Sequence, residues 1–422
     1  MRLIPLVLPL LLSAGCGGTS PAPSTPPSPP GPTSSARQPD AALSPAAEAT
    51  NAFALTVYSK LKDQPGNIAW SPASLAAALT MAWGGARGET AAQMATVLGL
   101  SGPADAALAA AGAQIAAWNA ENPHRTLSVV NRLYGERTYR FEDAFLQQTQ
   151  AIFAAPLEPL DYQHDPEGSR GTINTWVAQQ TRDRIRDLLP PGSVTSDTRL
   201  ALVNAIYLLA DWEVPFEKGR TRPEPFYAQG TTAVSVPTMH QAEHHRYAQT
   251  DGVRVLQMPY QGGDLAMTLV LPDARDGLPA LEARLSPATL QSWRAALRPQ
   301  RVLVSLPSFE INPSAPLSLA PMLAELGMPL AFERLGADFT GIANPPNPDD
   351  RLYISAVFHK AFLKVNEQGT EAAAASAVVM ARAGSAPSAA PPEFKADHPF
   401  LYFLQDTRTG MILFAGRVVD PR

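Results

Sequence analysis

"NEQGTEAAAASAVVMARAGSAPSAAPPEF" spans residues 366–394, and its reading decides the fold. Six small residues, 372–377, sit between Gly369-Thr370-Glu371 and Val378-Val379-Met380. Alanine is the best helix former. Val378 and Val379 prefer strands, however, and Gly384, Pro387, Pro391 and Pro392 break helices. This composition suits a segment that is exposed in one state and squeezed between other strands in another. The competing reading is a flexible Ala-rich linker, and the flanking sequence has to decide.

On the C-terminal side, "PFLYFLQD" and "GMILFAGRVVD" form a hairpin pattern across Thr407-Arg408-Thr409-Gly410. On the N-terminal side, "RLALVNAIYLLADW" (199–212) is a long apolar run that predicts a buried strand. "TLSVVNRLYGE" (126–136) alternates as a strand. "TINTWVAQQTRDRIRDLLPPG" (172–192) predicts a helix stopped by Pro190, and "PLSLAPMLAELGMPLAF" (316–332) predicts another. Residues 47–64 carry Phe53, Val57, Tyr58 and Leu61 at helical spacing. Helices come mostly first and strands mostly later, an order that argues α+β rather than a βαβ alternation.

The 422 residues carry a formal net charge of −5, and no basic run stands out, which argues against nucleic acid as a partner. One cysteine excludes an internal disulfide framework. That cysteine, Cys16, closes "MRLIPLVLPLLLSAGC", a charged start followed by a short apolar run, which reads as a secretory signal peptide over residues 1–16. Its end resembles a bacterial lipobox, with Ser13 standing where Leu is commonest; the resemblance implies a lipid on Cys16 and attachment to a membrane of the cell envelope. Gly17 after the cysteine favours the outer membrane, facing either side. Residues 17–46 are Pro/Ser/Thr-rich and predict an extended tether. Residues 47–422 show no internal repeat and no second linker, so they form one domain.

Several stretches, in order, carry a family resemblance. They are "NIAWSPASL", "GARGETAAQM", "INTWVAQQTRDRIRDLLPPGSVTSDTRLALVNAIYLLADWEVPF", "LGMPLAF", "ADFTGI", "ISAVFHKAFLKVNEQGTEAAAASA" and "HPFLYFLQDTRTGMILFAGRVVDP". With them, residues 47–422 resemble a serpin. One departure is Leu208-Leu209-Ala210 before Trp212, where the family usually has Phe-Lys-Gly; only local repacking is expected from it. The resemblance implies an α+β fold in a single large domain, with about nine helices, three β-sheets and an exposed reactive-centre loop. It implies a monomer without cofactor or metal. The function implied is a suicide-substrate inhibitor of serine proteases; the alternative is a non-inhibitory binding protein or chaperone on the same fold. No Gly-x-Ser-x-Gly elbow or other hydrolase pattern is present, so an enzyme is the least favoured class.

The resemblance also places the sites. The loop hinge comprises Glu367, Gly369, Thr370, Glu371, Ala372, Ala373, Ala374, Ala375 and Ser376. After cleavage this segment enters the main sheet as a strand, with Gly369 as the point of reversal. Alternation along a strand turns Thr370, Ala372, Ala374, Ser376, Val378 and Met380 to the core and the residues between them outward. Small side chains limit the overpacking cost of about 1–3 kcal/mol per site. Counting from Glu367 sets the scissile bond between Ala383 and Gly384, which suits an elastase-like protease. Arg382 and Met380 are neighbours that suit trypsin-like and subtilisin-like enzymes, and counting back from "PPEF" favours Ser388. Ser71, Ser74, Asn204 and His359 match a "shutter" beneath the sheet, and Trp212 the "breach" where insertion begins. His240, His244 and His245 lack a metal-binding pattern and lie in a strand-and-loop region.

Overall fold

The computed structural model describes residues 44–228, 232–370 and 390–422. Cys16 lies outside the described residues, and so does the stretch 371–389. That stretch holds the hinge residues Glu371, Ala372, Ala373, Ala374, Ala375 and Ser376 and the bait positions Met380, Arg382, Ala383, Gly384 and Ser388.

Nine α-helices lie among the described residues: α1 (Pro45–Leu61), α2 (Pro72–Trp83), α3 (Gly88–Leu98), α4 (Ala104–Asn119), α5 (Asp143–Phe153), α6 (Pro166–Gln180), α7 (Leu278–Ala283), α8 (Pro287–Ala296) and α9 (Ala320–Glu325). The helix expected to run to Pro190 ends at Gln180 instead. Arg182, Asp183 and Asp187 beyond it take left-handed backbone angles, which a continuing helix cannot accommodate. The helix expected over 316–332 shrinks to the six residues of α9, followed by a 3₁₀ turn, Pro329–Phe332. Gly327, at φ 121°, separates the two.

The strands are β1 (Ile68–Trp70), β2 (Arg125–Glu136), β3 (Leu157–Leu160), β4 (Leu200–Asp211), β5 (Arg222–Ala228), β6 (Thr232–Thr250), β7 (Val253–Pro259), β8 (Leu265–Pro272) and β9 (Arg298–Pro307). The remainder are β10 (Phe309–Ile311), β11 (Leu317–Ser318), β12 (Phe358–His359), β13 (Leu363–Val365), β14 (Gly369–Thr370), β15 (Glu393–Lys395), β16 (Phe400–Asp406) and β17 (Ile412–Val418).

They form three sheets. A nine-stranded sheet runs β1-β17-β16-β8-β7-β6-β9-β15, with β5 also on β6; a six-stranded sheet runs β10-β13-β14-β4-β2-β3; β11 and β12 make a pair. The expected hairpin is β16–β17. Every residue of β8 and β17 is buried, as their apolar runs require of central strands. β4 divides two cores. Ile206, Leu208 and Ala210 belong to the main cluster. Val203 and Ala205 point the other way, into a smaller cluster with Ile173 and Val177 of α6 and Ile185, Leu188 and Val194.

Candidate functional site

The six-stranded sheet holds a two-residue strand at its centre. Gly369 pairs with Asp211 and Thr370 with Ala210 of β4, and Thr370 also pairs with Val365 of β13. β4 and β13 therefore stand one strand apart at this end. Further along, β4 has no partner on this side among the described residues. A cavity of about 230 Å³ lies there, between residues 200–204 of β4 and 349–359.

The turn feeding β14 is built by Asn366. Its Oδ1 accepts the Gln368 and Gly369 N–H groups at 2.9 and 3.2 Å, and its own N–H donates to the Gly369 carbonyl at 3.0 Å. Gly369, the expected point of reversal, is the last residue of this turn before Thr370 pairs with Val365, and it does not take a positive φ. What requires glycine there is close approach: a Cβ would collide with the Ala210 carbonyl oxygen.

Trp212 and Tyr260 brace this end of the sheet. Their rings stack at 4.4 Å, and the indole N–H donates to the Asn366 carbonyl at 3.0 Å. The Tyr260 hydroxyl lies 2.5 Å from Thr370 Oγ1, and Thr370 is only 2% exposed. Glu367 is held by Thr221, whose hydroxyl donates to Oε1 at 2.8 Å, and by the Phe216 N–H on its carbonyl at 2.8 Å. Sequence patterns do not single out Asn366 or Tyr260. An Asn three residues before a Gly is the available signal for the first; Tyr260 has none.

Ser71, Ser74, Asn204 and His359 do come together. Ser71 caps α2, its Oγ accepting from the Ser74 N–H at 3.1 Å and donating to the Leu413 carbonyl at 2.6 Å. The Ser71 N–H donates to His359 Nε2 at 2.9 Å. Ser74 donates to Asn204, whose Nδ2 donates to Asn131 Oδ1 at 2.7 Å. Asn131, opposite Asn204 in the β2–β4 register, joins the cluster without a sequence signal.

Burial lowers the His359 pKa to about 4 and that of His245 to about 4. Both are therefore neutral in the folded state at pH 7, while an unfolded histidine titrates near 6.5. The folded state binds fewer protons between these values, so stability is full above pH 6.5 and falls as pH drops toward 4. Each histidine contributes about 3 kcal/mol across that window. Urea midpoints at pH 7.5 and 4.5 should diverge strongly, and less so for His359→Gln. An equal pH dependence in the variant would remove His359 as a cause.

His240, His244 and His245 all lie on β6. Their cross-strand partners on β9 are Ser305, Arg301 and Gln300. In a strand His240 and His244 stand about 13 Å apart, and His245 faces the other side, so the three do not converge.

At this end of the six-stranded sheet β13 and β4 are thus separated by one two-residue strand, whose sequence continues into the Ala-rich stretch. A family model for Serpin (serine protease inhibitor) matches residues 48–421, and the chain belongs to the serpin family. It is 38% identical to leukocyte elastase inhibitor A of Rattus norvegicus over 387 residues, covering 88% of this chain and 98% of that protein. Uncleaved ovalbumin matches with a TM-score of 0.79 at 28% identity, over 89% of this chain and 100% of that one. Human thyroxine-binding globulin matches with a TM-score of 0.79 at 28% identity, over 90% of this chain and 100% of that one.

Proposed function

We infer that the chain is a suicide-substrate inhibitor of serine proteases. The observation that carries this reading is Gly369-Thr370 paired between β13 and β4 at the head of the slot. Continuing that antiparallel pairing would set Ala372 opposite Leu208, Ala374 opposite Ile206 and Ser376 opposite Asn204. The core-facing row then consists of small residues, and Ser376 brings a hydroxyl to the Ser74–Asn204 group. The outward row would pass beneath α6 and residues 181–194, since Val203 and Ala205 are covered there. Small residues Ala375 and Ala377 suit that covered path. A run of about 14 residues carries a tethered protease roughly 45 Å.

The similarity to an elastase inhibitor supports an elastase-like target and a bond at Ala383-Gly384. A panel of elastase-, trypsin- and subtilisin-like proteases, run on a denaturing gel, tests the reading. A covalent adduct is expected, and the mass of the released C-terminal peptide identifies the bond. Clean cleavage without adduct across the panel would favour a non-inhibitory member instead.

The N-terminal features support a bacterial lipoprotein held at the envelope through Cys16. Cys16→Ser is expected to move the protein from membranes to the soluble fraction or leave it unprocessed. Unchanged membrane association of a processed variant would sink the anchor.

A further inference from the structure

The cavity beside β4 has a chemistry of its own. It follows the edge of β4 from Leu200 to Asn204, about 13 Å of strand. Leu75 and Leu79 of α2, Leu202 of β4, Val194, Phe339 and Ile342 give it apolar walls. Leu75 and Leu79 belong to the main core and Val194 to the smaller cluster, so the cavity reaches from one side of the sheet to the other. Ala78 of α2 also lines it and is only half-buried, while Ala77 and Leu79 on either side are buried.

The polar groups on these walls are used unevenly. Ser74 and Asn204 bond each other, and the Asn204 amide also reaches Asn131. His359 Nε2 accepts the Ser71 N–H, so the neutral ring carries its proton on Nδ1. His359 is only 7% exposed, and its Nδ1–H has no partner among the described residues. The Ser193 hydroxyl, also on the cavity wall, is buried and has no partner either. A buried polar group without a partner is costly, and a ligand that supplies one recovers the cost. Both groups can donate, and both therefore fit an acceptor oxygen.

Size and charge narrow the ligand. The volume is about 230 Å³. An apolar cavity of about 150 Å³ holds benzene, so this one holds about nine non-hydrogen atoms. Its course along β4 suits a chain better than a ring system. Arg199, Arg334 and Arg351 line it together with Asp197, Asp349 and Asp350, so the charges cancel. That balance favours neither an anion nor a cation, and burying either would carry a desolvation penalty.

We propose that this cavity is a binding site for an uncharged medium-chain aliphatic molecule with an acceptor oxygen, such as a ketone or an ester. The chain lies between α2 and residues 188–194, and the oxygen accepts from His359 Nδ1–H. The site does not depend on whether the chain inhibits a protease.

The test uses the full chain with octan-2-one, which matches that size and carries one acceptor. Calorimetric titration should give a Kd on the order of 0.1 mM. At about 1 mM ligand the melting temperature should rise by about 3 °C. Ala78→Leu fills the space and should weaken binding about tenfold or more. Octanoate, of nearly the same size but charged, should bind about tenfold more weakly than the ketone. In spectra of ¹⁵N-histidine-labelled chain, octan-2-one should shift one Nδ1 signal, the one that His359→Gln removes. That spectrum reports the site even where Ala78→Leu does not fold. No binding heat and no thermal shift would overturn the proposal. Undiminished binding by folded Ala78→Leu, or no shift of the His359 signal, would place the ligand elsewhere and overturn the site. Tighter binding of octanoate would overturn the uncharged class. None of these outcomes bears on adduct formation, so the inhibitory reading is decided separately by its own gel.

Discussion

Thr370→Arg is expected to leave the chain cleavable while abolishing the covalent adduct. Thr370 is buried between β13 and β4, with its hydroxyl on Tyr260. Arginine there must bury a charge without a partner. Asp211 is one residue from Ala210, and strand alternation turns it to the opposite face. An unpaired buried charge costs several kcal/mol, and about 3 kcal/mol is already a hundredfold in rate. The protease would then hydrolyse the acyl bond before the strand enters. The gel readout is the ratio of cleaved chain to adduct, with Thr370→Ser, which keeps the hydroxyl, as control. Normal adduct from Thr370→Arg would mean that insertion does not begin at this residue.

Nicking the loop between residues 380 and 388 should raise the melting temperature by about 20 °C or more. The inserted strand would meet β4 over about ten residues, from Ala210 toward Leu200, and β13 on its other side. About ten backbone hydrogen bonds at 0.5–1.5 kcal/mol each give on the order of 10 kcal/mol. A domain of this size gains about 2 °C per kcal/mol. Calorimetry before and after limited proteolysis measures it. A melting temperature unchanged by clean cleavage would identify a chain whose slot does not accept the strand.

Much of this fold is legible in local sequence. Period-two alternation identifies β2, a continuous apolar run identifies β4, and Thr407–Gly410 identifies the terminal hairpin. Boundaries fail where tertiary contacts override propensity. "TRDRIRDLLP" looks helical, yet Ile185 and Leu188 leave the helix and, with Val194 beyond it, cover Val203 and Ala205. Arg182 lies over Tyr207 at 5.3 Å and Arg184 over Phe362 at 5.2 Å, so the segment is clipped to both sides of the slot.

That a run of small residues lies between a hinge-like Gly-Thr-Glu and a proline-rich return follows from composition, because steric size and backbone freedom are properties of single residues. Contacts between distant strands settle what composition leaves open. They set Asn131 against Asn204 and Tyr260 against Thr370, and they show Asn366 bonding the turn that ends at Gly369. Such pairings depend on the register between strands far apart in the chain, and register is set by which side chains the whole core can bury together.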